Sequence, residues 1–182
     1  MYTHFSTPAA ATIHRIKWWQ IALLAVGVSL LGRLSSGQTK SSEQKLYNLK
    51  LKQAPWAPPA WLFGVAWPFN NFFILLALQR LLSGENIPEK NRLLVLQAAI
   101  WTIFFSFGYV YFRKKSSMLA AVWTLSDAAV SIASLLLARR VDKKLSYYYL
   151  PLVLWTTYAS TVAAYQALEN DDPVLNISAP LD

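Results

Sequence analysis

The chain has 182 residues, 55% of them hydrophobic and only 14% charged, with a formal net charge of +8. A charged share far below the roughly 25% of soluble proteins excludes an ordinary soluble domain, and the length suits a single domain. The absence of cysteine excludes disulfides, thiolate metal sites and cysteine nucleophiles.

The N-terminal tail, residues 1–17, has no acidic group and holds both histidines, His4 and His14. Five apolar segments follow: Trp18–Leu34, Trp61–Leu82, Leu93–Phe112, Ser117–Ala138 and Leu145–Leu168. A helix needs about 20 apolar residues to cross the hydrocarbon core, which the last four reach. The first is shorter and brings Lys17 and Arg33 close in, so those side chains would snorkel. Because lipid offers no hydrogen bonds to the backbone, the expectation is an all-α integral membrane protein. It would be a bundle of five transmembrane helices over residues 18–168, with chain ends on opposite sides.

The basic residues punctuate these segments rather than forming one patch, as in Arg113-Lys114-Lys115 and Arg139-Arg140. That placement points to the lipid bilayer and its headgroups as partner, and not to nucleic acid. Orientation stays open. Arg15, Lys17, Arg80, Lys90, Arg92, Arg139, Arg140, Lys143 and Lys144 fall on one side, against Arg33, Lys40, Lys45, Lys50, Lys52, Arg113, Lys114 and Lys115 on the other. Which membrane hosts the chain is equally open.

Residues 35–60 form the one long connection, polar at first and ending in Pro55-Trp56-Ala57-Pro58-Pro59-Ala60-Trp61. A short helix over Glu43–Lys52 is expected in its first half. Its second half should lie against the bundle as a lid, since long loops in compact folds often serve so. The tandem prolines stop any preceding helix and leave the next free to start. The connections after the third and fourth segments are short, making the last three helices antiparallel neighbours. Residues 169–182 are acidic and read as a flexible tail.

Within the spans, Asp127 is the sharpest signal, twelve residues from both Lys115 and Arg139. A carboxylate at the midplane costs about 2.5–3.5 kcal/mol on insertion scales, so it should face the bundle interior or a wet cavity. Thr124, Asp127, Ser131 and Ser134 share one helical face. Two readings are open: a cavity wall meeting a ligand's polar group, or an interhelical hydrogen-bonding seam. Aromatic stripes recur at helical spacing. Phe63, Trp67 and Asn71 share a face of the second segment, Gln97, Trp101 and Phe104 one of the third, and Trp155, Tyr158 and Val162 one of the fifth. Together they offer aromatic surface with a few polar groups, the usual lining of a hydrophobic-ligand site. With no histidine inside the bundle, no metal site, haem ligand or Ser-His-Asp arrangement can be assembled there, so the expectation is not an enzyme and no cofactor is required.

The run W-x-P-P-x-W followed by Trp67 resembles the translocator protein family, also called tryptophan-rich sensory proteins. The resemblance covers about residues 45–168, and Gln97, Pro151 and Trp155 also fit it. It implies a five-helix membrane bundle whose first loop closes over a pocket for porphyrins, sterols or drug-like aromatics. By that similarity Trp67 and Trp155 would line the pocket, with Trp56 and Trp61 in its lid and rim. Departures occur at Gln53-Ala54, Asn71, Trp101, Phe104 and Val162-Ala163. The ligand-binding set so assembled is Trp56, Trp61, Trp67, Asn71, Gln97, Trp101, Asp127, Trp155 and Tyr158. The implied function is a receptor or carrier for a flat hydrophobic ligand, foremost a tetrapyrrole such as protoporphyrin or haem, with a sterol as second candidate. The alternative is a non-catalytic structural subunit of a larger membrane complex, and a homodimer is compatible with either.

Overall fold

In a computed structural model the structure describes residues 16–34, 50–83 and 87–181. The N-terminal residues 1–15, the expected helix over Glu43–Lys52 as far as position 49, and both histidines lie outside them.

Five long helices are described: α1 (Trp18–Leu34), α2 (Ala60–Leu82), α3 (Lys90–Gly108), α4 (Ser117–Val141) and α5 (Lys143–Glu169). No strand occurs among the described residues. Three helices are long and apolar enough to cross a membrane: α2, α3 with its extension to Arg113, and α4. α1 is apolar but 17 residues long, and α5 reaches 27 residues with more Tyr, Thr and Ser. The order in space is α1–α2–α5–α4–α3, with α3 closing back on α1.

Local chemistry sets the helix limits. Pro59 stands extended just before α2 and Asp142 alone separates α4 from α5. The Asp142 carboxylate accepts from the N–H groups of Lys144 at 3.0 Å and Leu145 at 3.2 Å, satisfying donors that a helix start leaves open. It also receives the guanidinium of Arg80 at the end of α2. Ser116 caps α4 through Leu119 N–H at 3.0 Å. Between α3 and α4 the chain widens over Tyr109–Arg113, where Lys114 N–H reaches the Tyr109 carbonyl at 3.0 Å.

The closest helix pair is α4 with α5. α4 buries Ala120, Ala128, Ser131, Ser134 and Ala138; α5 buries Leu145, Tyr149, Leu152, Thr156, Ser160, Ala163 and Ala167. Both sets recur at helical spacing, and small side chains let two backbones approach. Hydroxyls tie the seam, with Ser131 Oγ 3.1 Å from Thr156 Oγ1.

Packing is uneven along the bundle. At the end of the α2–α3 and α4–α5 connections, Ile74, Ala77, Leu81, Leu93, Ile100, Ala138, Leu145, Tyr149 and Leu152 form a filled core. The opposite end is hollow.

Residues 170–181, expected to be flexible, instead fold against the hollow end. Asp172 is buried and accepts four hydrogen bonds, from Ser116 Oγ at 2.6 Å, Met118 N–H at 2.9 Å, and Val174 and Leu175 N–H at 3.0 Å each. A reciprocal backbone pair joins Asp172 to Ile177, and Leu181 N–H returns to the Leu168 carbonyl at 3.1 Å. An acidic composition reads as solvated when no donor is in view. Here the carboxylate finds the open N–H groups at the start of α4 and of its own turn.

Burial works to raise the Asp172 pKa, but the bonds from Ser116, Leu175, Met118 and Val174 outweigh it and hold the group below the ordinary carboxylate value. The same balance, with Arg80 as main partner, lowers Asp142. A depressed carboxylate contributes its full stabilisation above the unfolded-state pKa near 4, and loses it as pH falls through the folded-state value. Asp172→Asn should therefore lower stability by about 1–3 kcal/mol at neutral pH. The gap to the parent should be constant from pH 7 to about pH 4 and close below that, as read from thermal melts of both proteins across pH.

Candidate functional site

The hollow end is a cavity of about 1160 Å³ bounded by all five helices and the end of the long connection. Its lining gathers the last turns of α1 (Ser29, Arg33), the first of α2 (Trp61, Phe63, Gly64, Trp67), the end of α3 (Phe104, Phe107, Gly108), the start of α4 (Ala120, Thr124) and the second half of α5 (Trp155, Tyr158, Val162, Gln166). Alternate helix starts and ends meeting at one place require an up–down bundle, so Trp18 and Glu169 lie at opposite ends.

Aromatic side chains fix the walls. Phe63 meets Trp155 edge to face at 5.4 Å between centroids, and Trp155 lies 6.1 Å from Tyr158. Trp67 lies 5.1 Å from Phe104, making the floor above the filled core. Gly32 makes that floor feasible: a Cβ there would stand 2.7 Å from Phe104 Cζ. Residues 52–58 run as a strap along α5. Lys52 N–H donates to Asn170 Oδ1 at 2.8 Å, Gln166 Nε2 to Gln53 Oε1 at 2.6 Å, and Tyr158 OH to the Trp56 carbonyl at 2.6 Å. Gln166 also accepts from Tyr111 OH at 3.2 Å, joining strap, α5 and the widened turn after α3.

Of the nine residues singled out from sequence, four line the cavity: Trp61, Trp67, Trp155 and Tyr158. Trp56 lies on the outer side of α5, its Nε1 donating to Thr161 Oγ1 at 3.1 Å and its ring 5.4 Å from Tyr165. It secures the strap rather than the wall. Asn71 is buried and donates to Ser29 Oγ at 2.9 Å, joining α2 to α1. Gln97 is buried too, donating to the Ile74 carbonyl at 2.6 Å and accepting from Tyr149 OH at 2.8 Å. Trp101 stacks on Phe105 at 6.0 Å, below the floor.

Asp127 does not reach the cavity either. It is buried at 3% exposure, with Oδ1 lacking any hydrogen-bond partner among the described residues. Thr124, on the same stripe one turn earlier, lines the cavity. The stripe passes from cavity wall to closed seam between these positions, where the Ser131–Thr156 contact holds α4 against α5. Thr124 thus stands in the cavity wall, and Ser131 in the interhelical seam.

Sequence reasoning missed Arg33, Gln53, Tyr111, Phe107 and Gln166, all in the lining. Arg33 read as an anchor snorkelling outward, whereas its guanidinium turns over α2: a Cβ at Gly64 would lie 3.5 Å from Arg33 Nη2. Only the proximity of α1 to the start of α2 reveals this. No group of three His, Cys, Asp or Glu able to hold a metal occurs among the described residues.

The sequence profile of the TspO/MBR family matches residues 20–168, most of the chain and all five helices up to Leu168. This chain belongs to the TspO/MBR family. It is also similar to an uncharacterized membrane protein of Bacillus subtilis (strain 168), YtaB, at 24% identity over 118 residues, 65% of this chain and 76% of that protein. With its apolar helices, family membership makes it an integral membrane protein of helical-bundle type.

Two substitutions separate wall from scaffold. Gln97→Leu leaves the buried Tyr149 hydroxyl unpaired, so stability should fall by about 1–3 kcal/mol while affinity for a cavity ligand is unchanged. Asp127→Asn should leave ligand affinity unaltered from pH 5 to 8 in binding titrations, because the carboxylate is buried away from the cavity lining.

Proposed function

We propose that this protein is a membrane receptor or carrier that takes a flat hydrophobic ligand, foremost a tetrapyrrole, into the cavity at the hollow end of the bundle. The observation that carries this reading is an aromatic chamber of about 1160 Å³ inside a membrane bundle. Ligand sites are usually 300–1,000 Å³, apolar and aromatic, with few polar groups. This one is slightly larger than that range, with room for a macrocycle, and Trp67 and Trp155 are in its lining. Membership of the TspO/MBR family supports a sterol- or tetrapyrrole-binding protein in general.

In this reading the protein acts by binding rather than turnover. Tyr158 and Gln166 are engaged in holding the strap, and among the described residues of the lining none is a histidine or a carboxylate. The strap governs entry. Gln53, Ala54, Ala57 and Pro58 of the strap border the cavity, so a ligand entering from the loop side has to pass the Gln53–Gln166 and Trp56–Tyr158 contacts.

Protoporphyrin IX is the probe of choice. It should quench tryptophan fluorescence saturably in the detergent-solubilised protein. Trp67→Leu combined with Trp155→Leu keeps the wall apolar but removes both indoles, each pair worth about 0.5–1.5 kcal/mol. The double variant should bind roughly five- to a hundredfold more weakly. Equal affinity in variant and parent would remove these residues from the binding wall.

A further inference from the structure

The C-terminal turn presents a surface that the folding of the bundle leaves uncovered. Residues 173–181 carry no charge, although Asp171 and Asp172 stand immediately before them. Both of those carboxylates are directed at the turn's own backbone. Asp172 is buried among its four donors, and Asp171 Oδ1 accepts from the Ala179 N–H at 2.8 Å. The reciprocal Asp172–Ile177 pair closes the turn, and Asn176, at a φ of 53°, makes the return. What the turn displays outwards is aliphatic. Val174, Leu175, Ile177 and Leu181 are between 39% and 62% exposed, and Leu168, whose carbonyl receives the Leu181 N–H, is exposed as well.

Exposed apolar side chains grouped in one short turn mark an interaction surface. Depth decides its partner. The bond to Leu168 ties the turn to the last turn of α5, and the Asp172 bonds to Ser116 and Met118 tie it to the start of α4. Both are helix ends of a membrane bundle. Two exposed indoles stand at the same end, Trp61 and Trp56, the latter against Tyr165. Indoles settle at the membrane–water boundary. From Tyr165 to Leu168 is about 4.5 Å of helix, less than a headgroup layer of roughly 5–8 Å. The exposed cations Arg113, Lys114 and Lys115 directly precede Ser116, where they can attract anionic headgroups.

We propose that the C-terminal turn is a membrane-interface anchor, with Val174, Leu175, Ile177 and Leu181 entering the boundary between lipid headgroups and acyl chains. It extends the bilayer contact of the helices to a segment outside them, as interfacial apolar faces do. The anchor is independent of what the cavity binds.

The chain has no cysteine of its own, so single spin labels can be placed at will. Leu175→Cys, Ile177→Cys and Leu181→Cys are labelled in the full-length protein, in vesicles of phosphatidylcholine and phosphatidylglycerol. Collision with oxygen, which partitions into lipid, is compared with collision with a water-soluble nickel chelate. Leu154→Cys, on the exposed side of α5, gives the lipid reference, and Glu89→Cys, in the α2–α3 connection, the aqueous one. The oxygen-to-chelate ratio at the three turn positions should shift from the Glu89 value towards that of Leu154. Ratios equal to the Glu89 value overturn the assignment, since the turn would then stand in water. Low accessibility to both reagents overturns it too, because protein and not lipid would cover the turn. The turn is closed by Asp171, Asp172 and backbone groups, so these substitutions remove none of its hydrogen bonds.

Discussion

The close seam between α4 and α5 is the constraint on which the rest of the structure depends. A one-residue connection at Asp142 forces the two helices to turn back at once, and the carboxylate that caps α5 also holds Arg80 of α2. Small residues along α4 then let the backbones stay near one another up to the other end. Two helices held this tightly cannot also spread to fill the bundle's centre. Helices α2 and α3 fill it at the Asp142 end, where Ile74, Leu81 and Leu93 meet Leu145 of α5. At the other end they leave the chamber.

Most intramembrane polar side chains are spent on that scaffold. In hydrocarbon an unpaired polar group costs several kcal/mol, which favours pairing within the protein. Asn71 finds Ser29, Gln97 finds both Ile74 and Tyr149, and Thr156 finds Ser131. Once engaged in joining helices, these groups are no longer presented to a ligand. In the chamber's lining Ser29, Tyr158 and Gln166 are engaged in such ties as well, and the wall between them is largely apolar and aromatic.

The hollow end is closed by polar ties instead. The strap joins α5 through Asn170, Gln166 and Tyr158, while the C-terminal turn joins the start of α4 through Asp172. Side-chain hydrogen bonds between exposed groups contribute little each and open at small cost. Asp172, by contrast, is buried with four donors and anchors its turn independently of the strap.

The five helices, their order and their approximate limits were legible in the sequence, because hydropathy blocks, Pro58-Pro59 and the short connections act locally. So were the aromatic faces of α2 and α5, since helical periodicity decides which side chains share a side. Periodicity does not say what a face meets. Trp67 and Asn71 share a face, yet one meets the chamber and the other Ser29 of α1. Thr124 and Asp127 divide in the same way, because the cavity reaches α4 only near its start. Arg33 over Gly64, and Asp172 among the donors at the start of α4, join residues distant in sequence. The sequence by itself determined the membrane bundle and its aromatic stripes. Only the tertiary structure decided where the helices part, and so which polar groups hold the protein together and which remain to meet a ligand.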